Sequence, residues 1–337
     1  MAMPTPLAVS MGDPAGIGPE IIAKAWERRA AAGLYPFFVV GDHRAIAAVW
    51  QGPIAPIANP AEAGAAFDKG LPVLSIEDAG DIIPGTPDGD GARMALHALE
   101  MACGLTRSGA ALALVTGPVS KAQLYAIGFD YPGQTEFVAE RCGIARDNAV
   151  MMLAGGDLRV VPMTVHVPLA AVSEILSVDL VMAKARTTAR GLQRRFGIDH
   201  PRLAFAGFNP HAGEAGALGD EEERFLAPAI AALRAEGIDA TGPFPADTMF
   251  HASARAQYDV AMCCYHDQAL VPLKTLYFDE GVNTTLGLPI VRTSPDHGTA
   301  FDIAGQDRAS PAAMIAAIRM AGEAARHRDP AVIPTEP

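Results

Sequence analysis

Short apolar runs, each broken by a glycine-rich or polar turn and followed by a helical stretch, recur along the chain, and this alternation constrains its fold more than any other feature. Leu7-Ala8-Val9-Ser10-Met11 reads as a strand, after which Gly12 to Glu20 turns into a helix reaching Arg29. Phe37 to Asp42 and Val73 to Ile76 read as further buried strands, being short apolar runs bounded by turn residues. Asp90 to Gly104 reads as a packed helix, Ala111 to Thr116 as a strand, and Ser310 to Arg326 as a closing helix. Pro53 to Ala66 carries no strong signal and reads as a surface connection. Strand followed by helix, repeated, is the pattern of an α/β protein.

The length of 337 residues exceeds the usual single-domain size and implies one large or two moderate domains with ample core. A net charge of −12 and a pI near 5.2 argue against a nucleic-acid backbone or an anionic membrane as partner, since either needs a basic face. No apolar run approaches membrane-spanning length, and Met1-Ala2-Met3-Pro4 has no cationic leader pattern, so a cytoplasmic protein is expected. Cys103, Cys142, Cys263 and Cys264 show neither zinc spacing nor a disulfide framework and read as reduced core thiols.

The middle third hands over a histidine after each of three apolar runs. Leu158 to Val167 delivers His166, Leu203 to Phe208 runs into Asn209-Pro210-His211-Ala212-Gly213-Glu214, and Tyr258 to Tyr265 delivers His266. Ligands of open α/β sheets collect at the carboxyl ends of strands, where side chains from separate strands meet. Three imidazoles there suit a divalent metal with an open coordination position. A structural histidine is the ordinary alternative for any one of them, but the shared context favours a joint site. Asp247 offers a carboxylate that either joins or orients such a shell or caps a helix.

From Tyr265 to Gly305 donors, cations and glycines crowd beyond any packing requirement. Lys274, Asn283 and Arg292 follow one another at intervals of nine residues, which match no helix or strand repeat. Three separate loops or element ends therefore each bring one anion-binding group to a common cavity, with Asp296-His297-Gly298-Thr299 closing the stretch. Gly133-Gln134-Thr135-Glu136 places polar groups ahead of a helix over Phe137 to Cys142, and Thr135 reads equally as a cap. The glycines after the first strand do not fit G-x-G-x-x-G, and no acidic ribose partner is evident.

The segments GDPAGIGPE, TGPVSK, NPHAGE, YHDQ, VNTTLGLP and RTSPDHGTAFDIAG, in this order from Leu7 to about Gly322, resemble the 4-hydroxythreonine-4-phosphate dehydrogenase family of vitamin B6 biosynthesis. The resemblance implies a two-domain α/β/α fold like that of isocitrate and isopropylmalate dehydrogenases, which lacks the usual dinucleotide fingerprint. It further implies a homodimer with shared active sites in the cleft between domains and at the dimer interface. Its expected domains are residues 1–133 with 295–337, formed by both chain ends, and 134–294, carrying the metal histidines. It places the metal on His166, His211 and His266, with Lys274 beside them in the catalytic group. It places substrate contacts on Gln134, Thr135, Lys274, Asn283 and Arg292, and the cofactor on Asp296, His297, Gly298, Thr299, Ala300 and Asp302. NAD is the implied cofactor, with NADP as the alternative, together with one zinc, magnesium, cobalt or manganese ion per site. The implied reaction oxidises a small phosphorylated substrate, 4-phosphohydroxy-L-threonine, to a β-keto acid that decarboxylates to 3-amino-2-oxopropyl phosphate.

One departure stands out. The family pattern is Gly-His-Thr-Glu where this chain has Gly133-Gln134-Thr135-Glu136, so an imidazole gives way to an amide that hydrogen-bonds but carries no proton. Relatives in the same branch oxidise other phosphorylated hydroxy acids or aromatic cis-diols, which makes a related dehydrogenase the main alternative. A metal-dependent hydrolase or lyase on the same histidines, and a phosphometabolite-binding protein without turnover, are rivals from other classes. The loop from His297 to Gly305 speaks against the hydrolase, which needs no adenine site.

Overall fold

A computed structural model of the chain describes residues 5–76 and 80–327. Residues 1–4, read above for a leader, and 328–337, assigned above to the first domain, lie outside them. Twelve strands are formed among the described residues: β1 (Leu7–Ser10), β2 (Phe37–Gly41), β3 (Ile54–Ile57), β4 (Leu71–Ser75), β5 (Leu114–Thr116), β6 (Val150–Gly155), β7 (Leu158–Pro162), β8 (Leu203–Ala206), β9 (Ala240–Phe244), β10 (Val260–Cys263), β11 (Val282–Leu286) and β12 (Arg292–Pro295). The helices used below are α1 (Gly18–Glu27), α2 (Gly89–Arg107), α3 (Gln134–Arg141), α4 (Val178–Phe196), α5 (Ala227–Ala235), α6 (His266–Tyr277) and α7 (Ala312–Arg326). The chain divides into two compact units, one running to Gly143 and resuming at Leu288, the other spanning Ile144–Gly287.

In the first unit the strand order is β3-β4-β2-β1-β5-β12, with every pairing parallel. β1 and β2 are buried along their whole length, which is why they are apolar runs, broken only by Ser10, rather than alternating ones. Helix α2, capped by Asp88 accepting from Gly91 N at 2.7 Å, packs on β1, β2 and β5. Helix α7 packs on β12 and β5 and against α1. The segment from Pro53 to Ala66, read as a bare connection, holds β3, a 3-10 turn (Pro60–Glu62) and a short helix (Ala63–Ala66). β3 escaped notice because Pro56 interrupts it, and an edge strand tolerates a proline that a central strand does not.

In the second unit the order is β11-β6-β7-β10-β8-β9, antiparallel at the first two pairings and parallel thereafter. Alternate residues separate cleanly to the two faces. Val161, Phe205, Val260 and Met262 join one core with α4 and α5, while Val160, Ala204, Ala206, Ala261 and Cys263 join another with Ala269 and Leu273 of α6. Each large apolar side chain fully buried there stabilises the fold by roughly 1.5–3 kcal/mol. All four cysteines are free, and Cys142 is half-buried rather than part of a core. Among the described residues no helix is long and apolar enough to cross a membrane.

Candidate active site

The parallel strands β7, β10 and β8 end at one edge of the second unit's sheet, and the three histidines lie just beyond them. None is in a strand. β7 stops at Pro162, short of the expected Val167, and His166 beyond it has φ +54, which a strand cannot accommodate. His211 lies in a 3-10 turn (Pro210–Gly213) with φ +53, and His266 is the first residue of α6. Left-handed backbone is uncommon for side chains other than glycine, and it persists only where the surroundings over-determine it.

Buried polar contacts tie these turns together. Thr164 Oγ1 donates to Cys264 O at 2.8 Å, joining the segments that lead to His166 and His266. Gln268 accepts from Cys264 N and donates to Gly207 O, both at 2.7 Å, joining the turn before His266 to the end of β8. The rings of His166 and His266 stand 5.8 Å apart, centroid to centroid, with a tilt of 41°. Two imidazoles on one tetrahedral metal, with metal–nitrogen bonds of about 2.0–2.1 Å, place their centroids roughly 5 Å apart, so this pair suits a shared ion. His266 Nδ1 is 2.6 Å from Asp267 Oδ1, an outer carboxylate of the kind that orients a ligating imidazole. The turn carrying Asp247 (Ala246–Thr248) packs against the His211 turn, and Asp247 is exposed without serving as the N-cap of that turn. Among the described residues, no group of three or more His, Cys, Asp or Glu within this single chain is gathered closely enough to hold a metal.

Lys274, Asn283 and Arg292 come from three separate elements, as their spacing predicts. Lys274 is in the last turn of α6, half-buried, with Nζ 5.9 Å from the Phe278 ring centroid. Asn283 is on β11, and its Oδ1 is buried without a hydrogen-bond partner, an acceptor available to a donor from a ligand.

Arg292 opens β12 in the first unit and is 3 % exposed. Its Nη2 donates to Thr116 Oγ1 at 2.7 Å and its Nη1 to Thr135 Oγ1 at 3.3 Å. Burial pushes this guanidinium down to about 10, partly opposed by the charge of Glu136. Gln134 and Thr135 lie in the first turn of α3, not ahead of it, and the N-cap is the extended Gly133, so Thr135 does not cap the helix. Gln134 Nε2 donates to Gly117 O at 3.2 Å, while its Oε1 is buried without a partner. Gln134, Thr135 and Arg292 are thus assembled around the end of β5.

A further group, not evident as a site residue from the sequence, lies beside them. Asp13, 2 % exposed, follows β1 in a turn whose backbone meets the turn after β5: Asp13 N donates to Pro118 O at 2.9 Å. Burial drives its carboxyl up to about 6, against the opposing Ala15 N–H and with the charge of Asp88 adding to the rise. Gly12, at φ +79, permits this approach, since a Cβ there would lie 2.3 Å from Pro118 O. The available signal was a carboxylate in the turn after the first buried strand, within the GDPAGIGPE segment.

The loop after β12 docks near the start of α1. Thr299 is buried, and its carbonyl accepts from Ile17 N at 2.9 Å, next to the start of α1. Ala300 is left-handed at φ +42, Asp296 is half-buried, and His297, Gly298 and Asp302 are exposed.

Residues 34–321 match the family described as pyridoxal phosphate biosynthetic protein PdxA. A 4-hydroxythreonine-4-phosphate dehydrogenase of Zymomonas mobilis is 56 % identical over 96 % of this chain and 96 % of its own. Among solved structures, 4-hydroxythreonine-4-phosphate dehydrogenase from Klebsiella pneumoniae aligns with a TM-score of 0.85 at 37 % identity, covering 96 % of this chain and all of that one. A terephthalate 1,2-cis-dihydrodiol dehydrogenase from Burkholderia xenovorans aligns at 0.65 and 29 % identity, over 94 % and 98 %.

Proposed function

Because the chain belongs to the pyridoxal phosphate biosynthetic protein PdxA family, we propose that it oxidises 4-phosphohydroxy-L-threonine with NAD and releases 3-amino-2-oxopropyl phosphate after decarboxylation. The observation that carries this reading is the set of three histidines past neighbouring parallel strand ends, two of them on left-handed backbone and one ring pair 5.8 Å apart. His166, His211 and His266 would hold the divalent ion, zinc, magnesium, cobalt or manganese, with Asp247 as a further candidate. When bound, the ion supplies a Lewis acid that favours the deprotonated substrate hydroxyl and withdraws electrons from the ketone. NAD, or NADP in its place, supplies the hydride acceptor, with Asp296, His297, Gly298, Thr299, Ala300 and Asp302 as its proposed contacts.

The chain's own side chains bind and orient. Arg292, held by two threonine hydroxyls, presents a fixed guanidinium to a dianionic group, and Lys274 contributes a second, more mobile cation. Asn283 Oδ1 and Gln134 Oε1 are buried acceptors that suit the substrate's ammonium or hydroxyl donors. Gln134 holds such a proton in place but does not move it, because an amide does not titrate near neutrality. Self-association is supported by large apolar side chains exposed on the second unit: Val167 and Leu169 after β7, Val271 and Leu276 on α6, and Phe278 just after it. A two-fold partner would present the same residues again and complete a ligand set that the described residues of one chain do not gather. Sedimentation of the purified protein tests the dimer, and a monomer that keeps activity and metal binding rejects shared sites.

Appearance of reduced-nicotinamide absorbance with 4-phosphohydroxythreonine, NAD and a divalent metal, and its loss with chelator, is the expected result. No absorbance with any of the four metals rejects the reading. Gln134 and the likeness to a cis-dihydrodiol dehydrogenase favour one alternative, a related dehydrogenase acting on another phosphorylated hydroxy acid or an aromatic cis-diol. Turnover of such a substrate in the same assay, with 4-phosphohydroxythreonine inert, would establish it.

A further inference from the structure

His211 is held in an unusual piece of backbone. His211, Ala212, Glu214 and Ala215 have φ of +53, +51, +44 and +54, so four non-glycine residues in close succession adopt the left-handed conformation. Such a run needs an external template. Glu222 provides one. It is 5 % exposed and begins a π-helical turn (Glu222–Leu226) that leads into α5, an irregularity often found at functional sites.

Its Oε1 accepts from Asn209 N at 2.8 Å and its Oε2 from Asn209 Nδ2 at 3.0 Å. Asn209 Nδ2 also reaches Glu221 Oε2 at 2.7 Å. The same carboxylate is enclosed by the glycines on either side of His211: a Cβ on Gly213 would lie 2.7 Å from Oε2, and one on Gly207 would lie 3.3 Å from Oε1. Both ends of the turn are therefore built around one side chain.

We propose that Glu222 is a positioning residue whose buried carboxylate templates the left-handed turn presenting His211. This rests on the metal reading of His211 given above. Both oxygens accept from donors of one residue, so an amide of the same shape would set one of its own donors against a donor of Asn209.

The test uses the full chain with zinc alone, comparing wild type, Glu222→Gln, His211→Ala and the double variant by competition with a chromophoric chelator. Hydrogen exchange of the metal-free proteins over residues 209–218 is read in parallel. Glu222→Gln is expected to weaken zinc binding roughly tenfold, as loss of outer-shell support does, and to add nothing in the His211→Ala background. It is also expected to speed exchange in that turn, while Glu223→Gln, at an exposed neighbour, changes neither. Asn209→Ala removes the side-chain bonds to Glu222 and Glu221 while leaving the backbone one, and replaces Glu222→Gln if that variant does not fold. Unchanged exchange, or a loss of affinity that adds in full to that of His211→Ala, overturns the proposal. If His211→Ala leaves zinc affinity untouched, the metal reading fails instead, and the exchange result alone decides the role of Glu222.

Discussion

Asp13→Asn isolates the cost of a carboxyl held where charge is disfavoured. The folded environment moves this group from 3.8 to about 6, and burial is the main cause. The sign follows from proton counting. Below about pH 4 the carboxyl is mostly neutral in both folded and unfolded chains, and no penalty exists. Between about 4 and 6 the unfolded chain releases its proton while the folded chain retains it, so stability falls as pH rises. Above about 6 both are ionised and the penalty is constant. At roughly 1.36 kcal/mol per pH unit it amounts to about 3 kcal/mol at pH 7.5 and under about 1 kcal/mol at pH 4. Asparagine keeps an oxygen for the Ala15 N–H, which Asp13 Oδ1 now accepts at 3.1 Å, and removes the charge. The variant should therefore be more stable than wild type by about 3 kcal/mol at pH 7.5 and nearly equal to it at pH 4, measured by urea unfolding at both values. A stability difference that does not change with pH would refute the reasoning.

Arg292→Ala should raise the substrate KM roughly 10- to 100-fold, the loss of a charge-assisted contact of about 1.5–3 kcal/mol, with NAD affinity nearly unchanged; an unaltered KM would place the anion pocket elsewhere. Gln134→His should leave turnover within about threefold, and a large gain with a new ionisation near pH 6.5, the reference histidine value, would mean that this chain has given up a catalytic base. Gly12→Ala should destabilise by more than about 2 kcal/mol, because φ is +79 and the added carbon would meet Pro118 O at 2.3 Å; an unchanged thermal midpoint contradicts that packing.

Local grammar made much of this fold readable. β2 and β10 are unbroken apolar runs and β1 is one but for Ser10, and such runs are what doubly covered parallel sheets require. The three histidines were visible because each follows such a run. Their backbone geometry was not, since a left-handed histidine is imposed by groups far along the chain. Thr135 and Thr116 meet Arg292 across 157 and 176 residues, a pairing that no spacing rule encodes. Asp13 acquires its raised carboxyl through burial in the turn that meets the one after β5, and Glu222 is one of four consecutive acids, Asp220 to Glu223, with nothing in the sequence to single it out. β3 was hidden by its proline and its place at an edge.

The first unit is assembled from segments that the ribosome makes far apart in time. Its sheet needs β12 against β5, and α7 covers that strand pair, yet both come after the whole of Ile144–Gly287 has been synthesised. The second unit is continuous and is free to fold as it emerges. Until Leu288 and the residues beyond it arrive, β5 presents a row of unpaired backbone groups along its outer side, the kind of edge that recruits strands from other chains. A nascent chain stalled near Gly287 would thus combine a finished unit with an adhesive one. Slow translation through the β12 and α7 codons should increase aggregation far more than slow translation anywhere within Ile144–Gly287.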